Sequence, residues 1–375
     1  MLYYTMTEDL KWSNYDFTKI PFDNIVSVGQ RTLLYRDLFT VSWLLGRFCN
    51  YKCSYCWPYA RSDKKDHRPT ELCLKTIDEI KRQARANNFN SFHFSLSGGE
   101  PTFHPGYLDI LEHLAADAPN TNYTSVHMTT NMSRNMKWHE EYVEAVKPFH
   151  RASITASLHT EHLNTVEKMQ DFADKLIFCQ EHDVQVTINM VMVPDWFERD
   201  WDNALFFHEQ GINVTLKPQS DPTASRVVDG YTDDNLKRLH NGMPQRAYTE
   251  SKRKWEGRPK PNFQVPAGIG KPDASVPWHM QIEMEDATGN KYYMDQAERF
   301  NAFNFNKFKG WSCNAGYQGI IIREPDGSVK RSYSCHDVPL GNIETGFKLF
   351  DRAMPCITDS CVSSADSKIP KRKSL

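Results

Sequence analysis

Between about Thr32 and Thr215 the chain alternates six times between two hydrophobic periods, and that alternation limits its fold more than any other feature. Runs rich in β-branched and aromatic residues fall at 39–45, 91–96, 125–129, 152–157, 184–193 and 213–216, and read as strands. Between them, 70–86, 107–115, 138–146, 163–182 and 201–210 repeat apolar residues at helical spacing. Leu163, Val166, Met169, Phe172, Ala173, Leu176 and Ile177 form one such stripe and should face a sheet. Pro105-Gly106 precedes one helix, and Asp200 is placed to cap another. Strands separated by crossover helices form a parallel sheet with right-handed connections. Six units predict an α/β fold, a partial (β/α)6 TIM-like barrel.

The texture changes after the sixth strand. Charged residues, Pro259, Pro261, Pro266, Pro272 and Gly268-Ile269-Gly270 punctuate 230–277, with one helix expected near 234–241. This stretch reads as a bridge or as a lid facing the substrate. Hairpins are expected at 280–285 with 291–294, and at 319–323 with 328–331, the second turning at Pro325-Asp326-Gly327. The boundaries are 1–38 for an N-terminal extension, 39–229 for the barrel, 230–300 for the bridge and 301–375 for a C-terminal unit.

A formal net charge of −2 provides no field for nucleic acid, and no run approaches the about 18 apolar residues of a membrane span. Met1 to Lys11 lack the basic and apolar regions of a secretory leader, so the cytoplasm is expected. The closing Lys371, Arg372 and Lys373 read as a solvated tail, and Lys373-Ser374-Leu375 departs from a peroxisomal signal. In a reducing compartment, nine cysteines point to metal or catalysis rather than disulfides. No Walker loop or complete dinucleotide fingerprint is present.

Cys49, Cys53 and Cys56 follow the first strand, where barrel enzymes carry their chemistry. Three thiolates so close can wrap one side of a compact metal centre and leave one metal atom open. Structural zinc, with His67 as fourth ligand, is the other reading. Cys313, Cys335, Cys356 and Cys361 make a second group that would suit a second cluster or a four-cysteine zinc site. Cys73 and Cys179 fall in helical patterns and read as buried small hydrophobes. His159 and His162 read as helix-start residues, with a metal pair as the alternative.

Cys49-Asn50-Tyr51-Lys52-Cys53-Ser54-Tyr55-Cys56 resembles the CxxxCxΦC motif of the radical S-adenosylmethionine (radical SAM) superfamily, with Tyr55 as its aromatic residue. Ser97-Gly98-Gly99-Glu100-Pro101-Thr102 resembles its second motif, which contacts the amino group of S-adenosylmethionine. Glycines allow close backbone approach and a carboxylate suits an ammonium group. The resemblance spans roughly 39–217. It implies a [4Fe-4S] cluster on the three cysteines and cofactor contacts from Tyr55, Gly98, Gly99, Glu100, Pro101, Thr130, Asn131, Ser157 and Asn189. Where family members often read Ser-Leu-Asp, this chain has Ser157-Leu158-His159, so the ribose contact would rest on Ser157.

The context of the second cysteine group, Trp311-Ser312-Cys313-Asn314-Ala315-Gly316 and Leu340-Gly341-Asn342-Ile343 before an expected helix, resembles the SPASM/twitch branch. The implied region is a small α+β domain with one auxiliary [4Fe-4S] cluster. The implied activity is reductive cleavage of S-adenosylmethionine to a 5′-deoxyadenosyl radical, which abstracts hydrogen from a peptide or small-molecule substrate. Dehydrogenation, crosslinking and epimerisation are candidate outcomes. Cys73 or Cys179 would donate hydrogen in epimerisation only if it faced the pocket. Electrons would come from a reductase or from a flavodoxin- or ferredoxin-type donor. A zinc-stabilised, non-enzymatic binding protein is the competing class.

Overall fold

In Val184–Met192 every second side chain is buried, and the remainder are only partly covered. Val184, Val186, Ile188, Met190 and Met192 join the main core, while Gln185, Thr187, Asn189 and Val191 face the other way. A strand with period two has one apolar and one polar face, and this rule repeats along the sheet. The computed structural model describes residues 15–57, 59–65, 67–222, 226–244, 261–297, 299–335 and 339–373. Parts of the expected extension, bridge and tail (1–14, 245–260 and 374–375) lie outside the described residues.

Six parallel strands run side by side in chain order: β2 (Leu38–Leu44), β3 (Ser91–Ser97), β4 (Tyr123–Thr130), β5 (Arg151–Leu158), β6 (Val184–Met192) and β7 (Asn213–Pro218). β1 (Ile25–Gln30) precedes them in another sheet. Five helices cross between neighbours: α1 (Thr70–Ala86), α2 (Tyr107–Ala116), α3 (Met136–Val146), α4 (Val166–Glu181) and α5 (Phe197–Glu209). Their buried residues and the apolar strand faces share one core, in which Trp43, Phe94, Ile110, Tyr142, Phe172 and Phe207 are fully enclosed. Each such aliphatic or aromatic side chain contributes about 1.5–3 kcal/mol by leaving water. The result is the α/β arrangement of a partial barrel.

Two expectations about helix starts need correction. Thr165 accepts the backbone N–H of Lys168 at 3.3 Å, so α4 begins at Val166, which projects into solvent instead of joining the stripe. Asp200 does not cap a helix. It is buried inside α5 and bound by Arg199. The helix in the bridge, α6 (Asp233–Asn241), starts at a capping box between Thr232 and Asn235.

The C-terminal strands divide between two sheets. β11 (Gly319–Ile322) lies parallel to β2, extending the barrel sheet, and β12 (Ser328–Lys330), β13 (Pro339–Asn342) and β14 (Gly346–Phe347) continue it antiparallel. The helix expected after Ile343 is instead a tight return into β14, where Asn342 accepts the N–H of Glu344 and Gly346 has φ +105°. The second sheet runs β15 (Met354–Pro355), β10 (Ser312–Cys313), β16 (Lys371–Arg372), β1, β8 (Ile282–Asp286) and β9 (Lys291–Met294). The basic tail is therefore partly structural. Lys371 is buried, and its ammonium donates to the carbonyls of Asp366, Ser367 and Ile369.

One stretch of the bridge lies away from the cysteine loop, while Tyr231 donates to the Met192 carbonyl at the C-terminal end of β6. Asn262 donates to Asn122, and Gln264 exchanges hydrogen bonds with Asp37, at the opposite ends of the strands. No helix among the described residues is long and apolar enough to cross a membrane.

Candidate active site

The loop bearing Cys49, Cys53 and Cys56 leaves the C-terminal end of β2 and is fixed from three sides. Backbone pairing comes first: Gly99 donates to Gly46 at 3.0 Å, Glu100 to Phe48 at 2.6 Å, and Ser62 to Arg47 at 2.7 Å. A Cβ on Gly98 would fall 2.3 Å from the Gly46 carbonyl, and one on Gly99 would fall 2.2 Å from that of Phe48. The Gly-Gly pair thus lets the end of β3 lie directly against the root of the cysteine loop. Their close approach is to the backbone of the loop.

Glu100 gives the second restraint. Its carboxylate is buried and accepts from Thr102 N at 3.2 Å, Thr102 Oγ1 at 2.6 Å, Thr130 Oγ1 at 2.7 Å and Asn131 N at 2.6 Å. Burial pushes its pKa up, and these four donors oppose that shift. Pro101 opens the short turn that Glu100 caps. Asn131 then reaches across to Asn50 at 2.9 Å and to the sulfur of Cys49 at 3.9 Å. Asn50 also donates to Ser133 at 3.0 Å.

The third restraint, which sequence reasoning missed, comes from residues 159–162 after β5. His162 Nε2 accepts the N–H of Lys52 at 3.2 Å, and Glu161 accepts the N–H of Ser54 at 2.9 Å. The Tyr55 hydroxyl meets His159 Nδ1 at 2.7 Å, while Tyr51 stacks on His162 with centroids 4.1 Å apart. His159, standing where an Asp is usual, therefore engages the motif's own aromatic residue. The only forewarning was two histidines spaced at a strand end.

All three thiols are shifted in the same direction. Burial pushes Cys53 up to about 12, with Glu161, Cys49 and Cys56 adding negative charge. Cys49 and Cys56 are raised as well, burial leading in both. Among the described residues no three His, Cys, Asp or Glu side chains already stand at ligand spacing. The donor set nonetheless fits a centre with three protein ligands. Nearby groups that could close it are engaged elsewhere: Glu100 with four donors, His159 with Tyr55, and His162 with Lys52. His67 packs against Gly46, Phe48 and His104.

Ser157 and Asn189 are register partners on the polar face, in one row with Thr215. Cys73 and Cys179 are buried among the helices, which removes them as hydrogen donors to a pocket. A groove of about 710 Å3 on the helix side is lined by Glu112, Glu140, Glu141 and Glu144 and contains none of the expected site residues.

The second cysteine group also converges. Cys313 and Cys356 bear on the ionisation of both Cys335 and Cys361, although burial is the leading cause of the upward shift in each. Cys313 lies on β10, and Cys356 N donates to Trp311 at 2.7 Å. Buried Arg331 organises the group by donating to the carbonyls of Ala315 at 3.1 Å, Pro355 at 3.1 Å and Met354 at 3.3 Å. Asp366 accepts the N–H groups of Tyr333 and Ser334, just before Cys335. Phe305, Phe308 and Trp311 pack around Cys313, Cys356 and Cys361.

Residues 43–208, from within β2 to the last turn of α5, match the family model for the Radical SAM superfamily. This part of the chain is similar to a radical SAM domain, and that match supports an enzyme. No curated protein sequence matches the chain. Similar solved structures include native anSMEcpe with bound AdoMet, at 15% identity over 83% of this chain and 79% of that one, TM-score 0.48. Native anSMEcpe with bound AdoMet and Cp18Cys peptide has 15% identity over 83% and 78%, TM-score 0.49.

Proposed function

We propose that the enzyme holds a [4Fe-4S] cluster on Cys49, Cys53 and Cys56 and uses S-adenosylmethionine to abstract hydrogen from a peptide or small molecule. The observation that carries this reading is the three-thiol loop whose neighbouring carboxylate and imidazoles are already committed, leaving one coordination position for a ligand. When bound, the cluster and S-adenosylmethionine supply one-electron cleavage to methionine and a 5′-deoxyadenosyl radical.

The chain's own residues position and shield. Gly98, Gly99 and Glu100 hold the end of β3 against the loop, and Thr130 and Asn131 couple β4 to it. Ser157 and Asn189 offer a hydroxyl and an amide on the polar face below. Tyr55 and His159 close one flank, limiting solvent access to a reactive intermediate. Cys313, Cys335, Cys356 and Cys361 would hold an auxiliary [4Fe-4S] cluster in a twitch-like region, serving electron transfer or structure when all four ligate. A reductase or a flavodoxin- or ferredoxin-type donor in the cytoplasm would supply electrons.

Anaerobic reconstitution followed by iron and sulfide analysis tests the cofactor assignment. With dithionite and S-adenosylmethionine the protein should form 5′-deoxyadenosine, and Cys53→Ala should abolish it. Zinc in place of iron, or product formation that survives the substitution, would overturn the assignment.

A further inference from the structure

The polar face of the sheet carries an ordered set of basic and hydroxyl groups toward the strands' N-terminal ends. Register places His93, Ser125 and Arg151 in one row across β3, β4 and β5. His127, Ser153 and Gln185 form the next row, across β4, β5 and β6. Two hydrogen bonds follow these rows, His93 Nδ1 to Ser125 Oγ at 2.8 Å and His127 Nδ1 to Ser153 Oγ at 2.9 Å, and a third joins them, Arg151 donating to Gln185 at 2.8 Å.

Nδ1 of each imidazole is thereby engaged, and Nε2 of neither ring has a hydrogen-bond partner among the described residues. The Ser153 hydroxyl has no other partner among the described residues, and with it donating to Nδ1 the Nε2 of His127 carries the proton and can donate, whereas Ser125 also donates to the Phe92 carbonyl at 3.5 Å. His93, His127, Ser153 and Gln185 are half-buried, Ser125 is buried and Arg151 is exposed. The side-chain charges that bear on the two rings, apart from the rings themselves, are those of Arg151 and Lys368, both positive. Burial leads these cations in holding both imidazoles neutral, at about 3 for His93 and about 4 for His127. The other side of this region is bounded by Tyr333, whose hydroxyl meets Ser42 on β2 at 2.6 Å.

Two cations close enough to act on both imidazoles, with an N–H donor on His127, are matched to an anion. We infer that His93, His127, Arg151 and Lys368 form a subsite for an anionic group of the substrate, a carboxylate or a phosphate. The inference rests on the proposed radical chemistry in that it places the reacting end of the substrate near the cysteine loop. His93 precedes Ser97 by four residues, a rise of about 13 Å at ~3.3 Å per residue. The substrate would then be an elongated molecule, with its anionic end held at the floor and its reacting C–H bond nearer the strand C-termini. A cationic substrate does not fit this face.

The test uses the full chain without its clusters, labelled in the histidine rings and titrated separately with inorganic phosphate and with succinate. At least one anion should shift the His93 and His127 signals saturably, leaving those of His139 in place. Arg151→Gln should weaken that binding about tenfold, the loss of one charge-assisted contact, and Arg151→Lys should retain most of it. Lys368→Gln provides a second variant with the same expected weakening. A response to phosphate alone or to succinate alone assigns the anion. No saturable shift with either anion, or unchanged binding in both charge-removing variants, overturns the subsite. Formation of 5′-deoxyadenosine by the reconstituted enzyme reads the proposed chemistry separately, so either assignment can fail alone.

Discussion

The carboxylate of Glu100 accepts the backbone N–H of Asn131 at 2.6 Å, joining the end of β3 to the end of β4 directly beside the cysteine loop. Asn131 passes the restraint on through Asn50 and Cys49. Glu100→Gln replaces an acceptor of four hydrogen bonds with a group that must turn donor protons toward donors. An unsatisfied buried polar group costs about 1–3 kcal/mol, so the urea midpoint should fall accordingly. Iron incorporation at the three cysteines should fall with it. Unchanged stability and loading would show that the carboxylate is not the anchor described.

Residues 159–162 make a distinct prediction for the apo protein. Glu161→Ala removes the acceptor of the Ser54 N–H, and His162→Phe that of the Lys52 N–H while preserving the stack on Tyr51. A net hydrogen bond of about 0.5–1.5 kcal/mol corresponds to at most about tenfold in amide protection. Hydrogen exchange should therefore accelerate at 52–54 and remain unchanged in α1. Equal acceleration across the barrel would mean a global effect instead.

Arg331 should be the most sensitive non-cysteine position in the second cysteine region. Arg331→Met keeps much of the volume but deprives three carbonyls, that of Ala315 buried and those of Met354 and Pro355 partly so, of a charged donor, each contact being worth about 1.5–3 kcal/mol. Cys335 and Cys356 should then react with a thiol reagent much faster than in the parent protein. Parent-like reactivity would remove Arg331 from its organising role.

Acidification should destabilise the fold well before the carboxylates titrate. Burial depresses His93 to about 3, and His104, His127 and His139 to about 4. Between about pH 6.5 and 4 the unfolded chain binds protons that the folded chain does not, so stability rises with pH and is lost as pH falls through that window. Urea midpoints measured across it should show a positive slope, shallower in His139→Asn. A flat profile would contradict the buried neutral imidazoles.

The strand and helix order was legible because each run carries one period over enough residues to identify its buried face. Val184–Met192 needs no partner to reveal which side is apolar, and α1 occupies the 70–86 expected for it. The cysteine triplet and Gly98-Gly99-Glu100 were equally visible, because their chemistry depends on short spacing. The exchange of Lys371 from tail to buried strand was not legible, since three basic residues look the same whether water or backbone carbonyls surround them. Nor was the role of His159, which depends on a hydroxyl about a hundred positions earlier in the chain.

Sequence alone determined the parallel α/β sheet and the loop that presents three thiols, because local periodicity and close spacing are properties of neighbouring residues. Only tertiary structure decided that Gly99 meets backbone, that Glu100 spends its carboxylate internally and that β11 extends the barrel sheet. It also decided that His93, His127 and Arg151 share a face, since strands distant in sequence set that row. The physical reason is that hydrogen-bond satisfaction and burial are settled by whichever groups arrive in space, and the chain does not encode those distances one residue at a time.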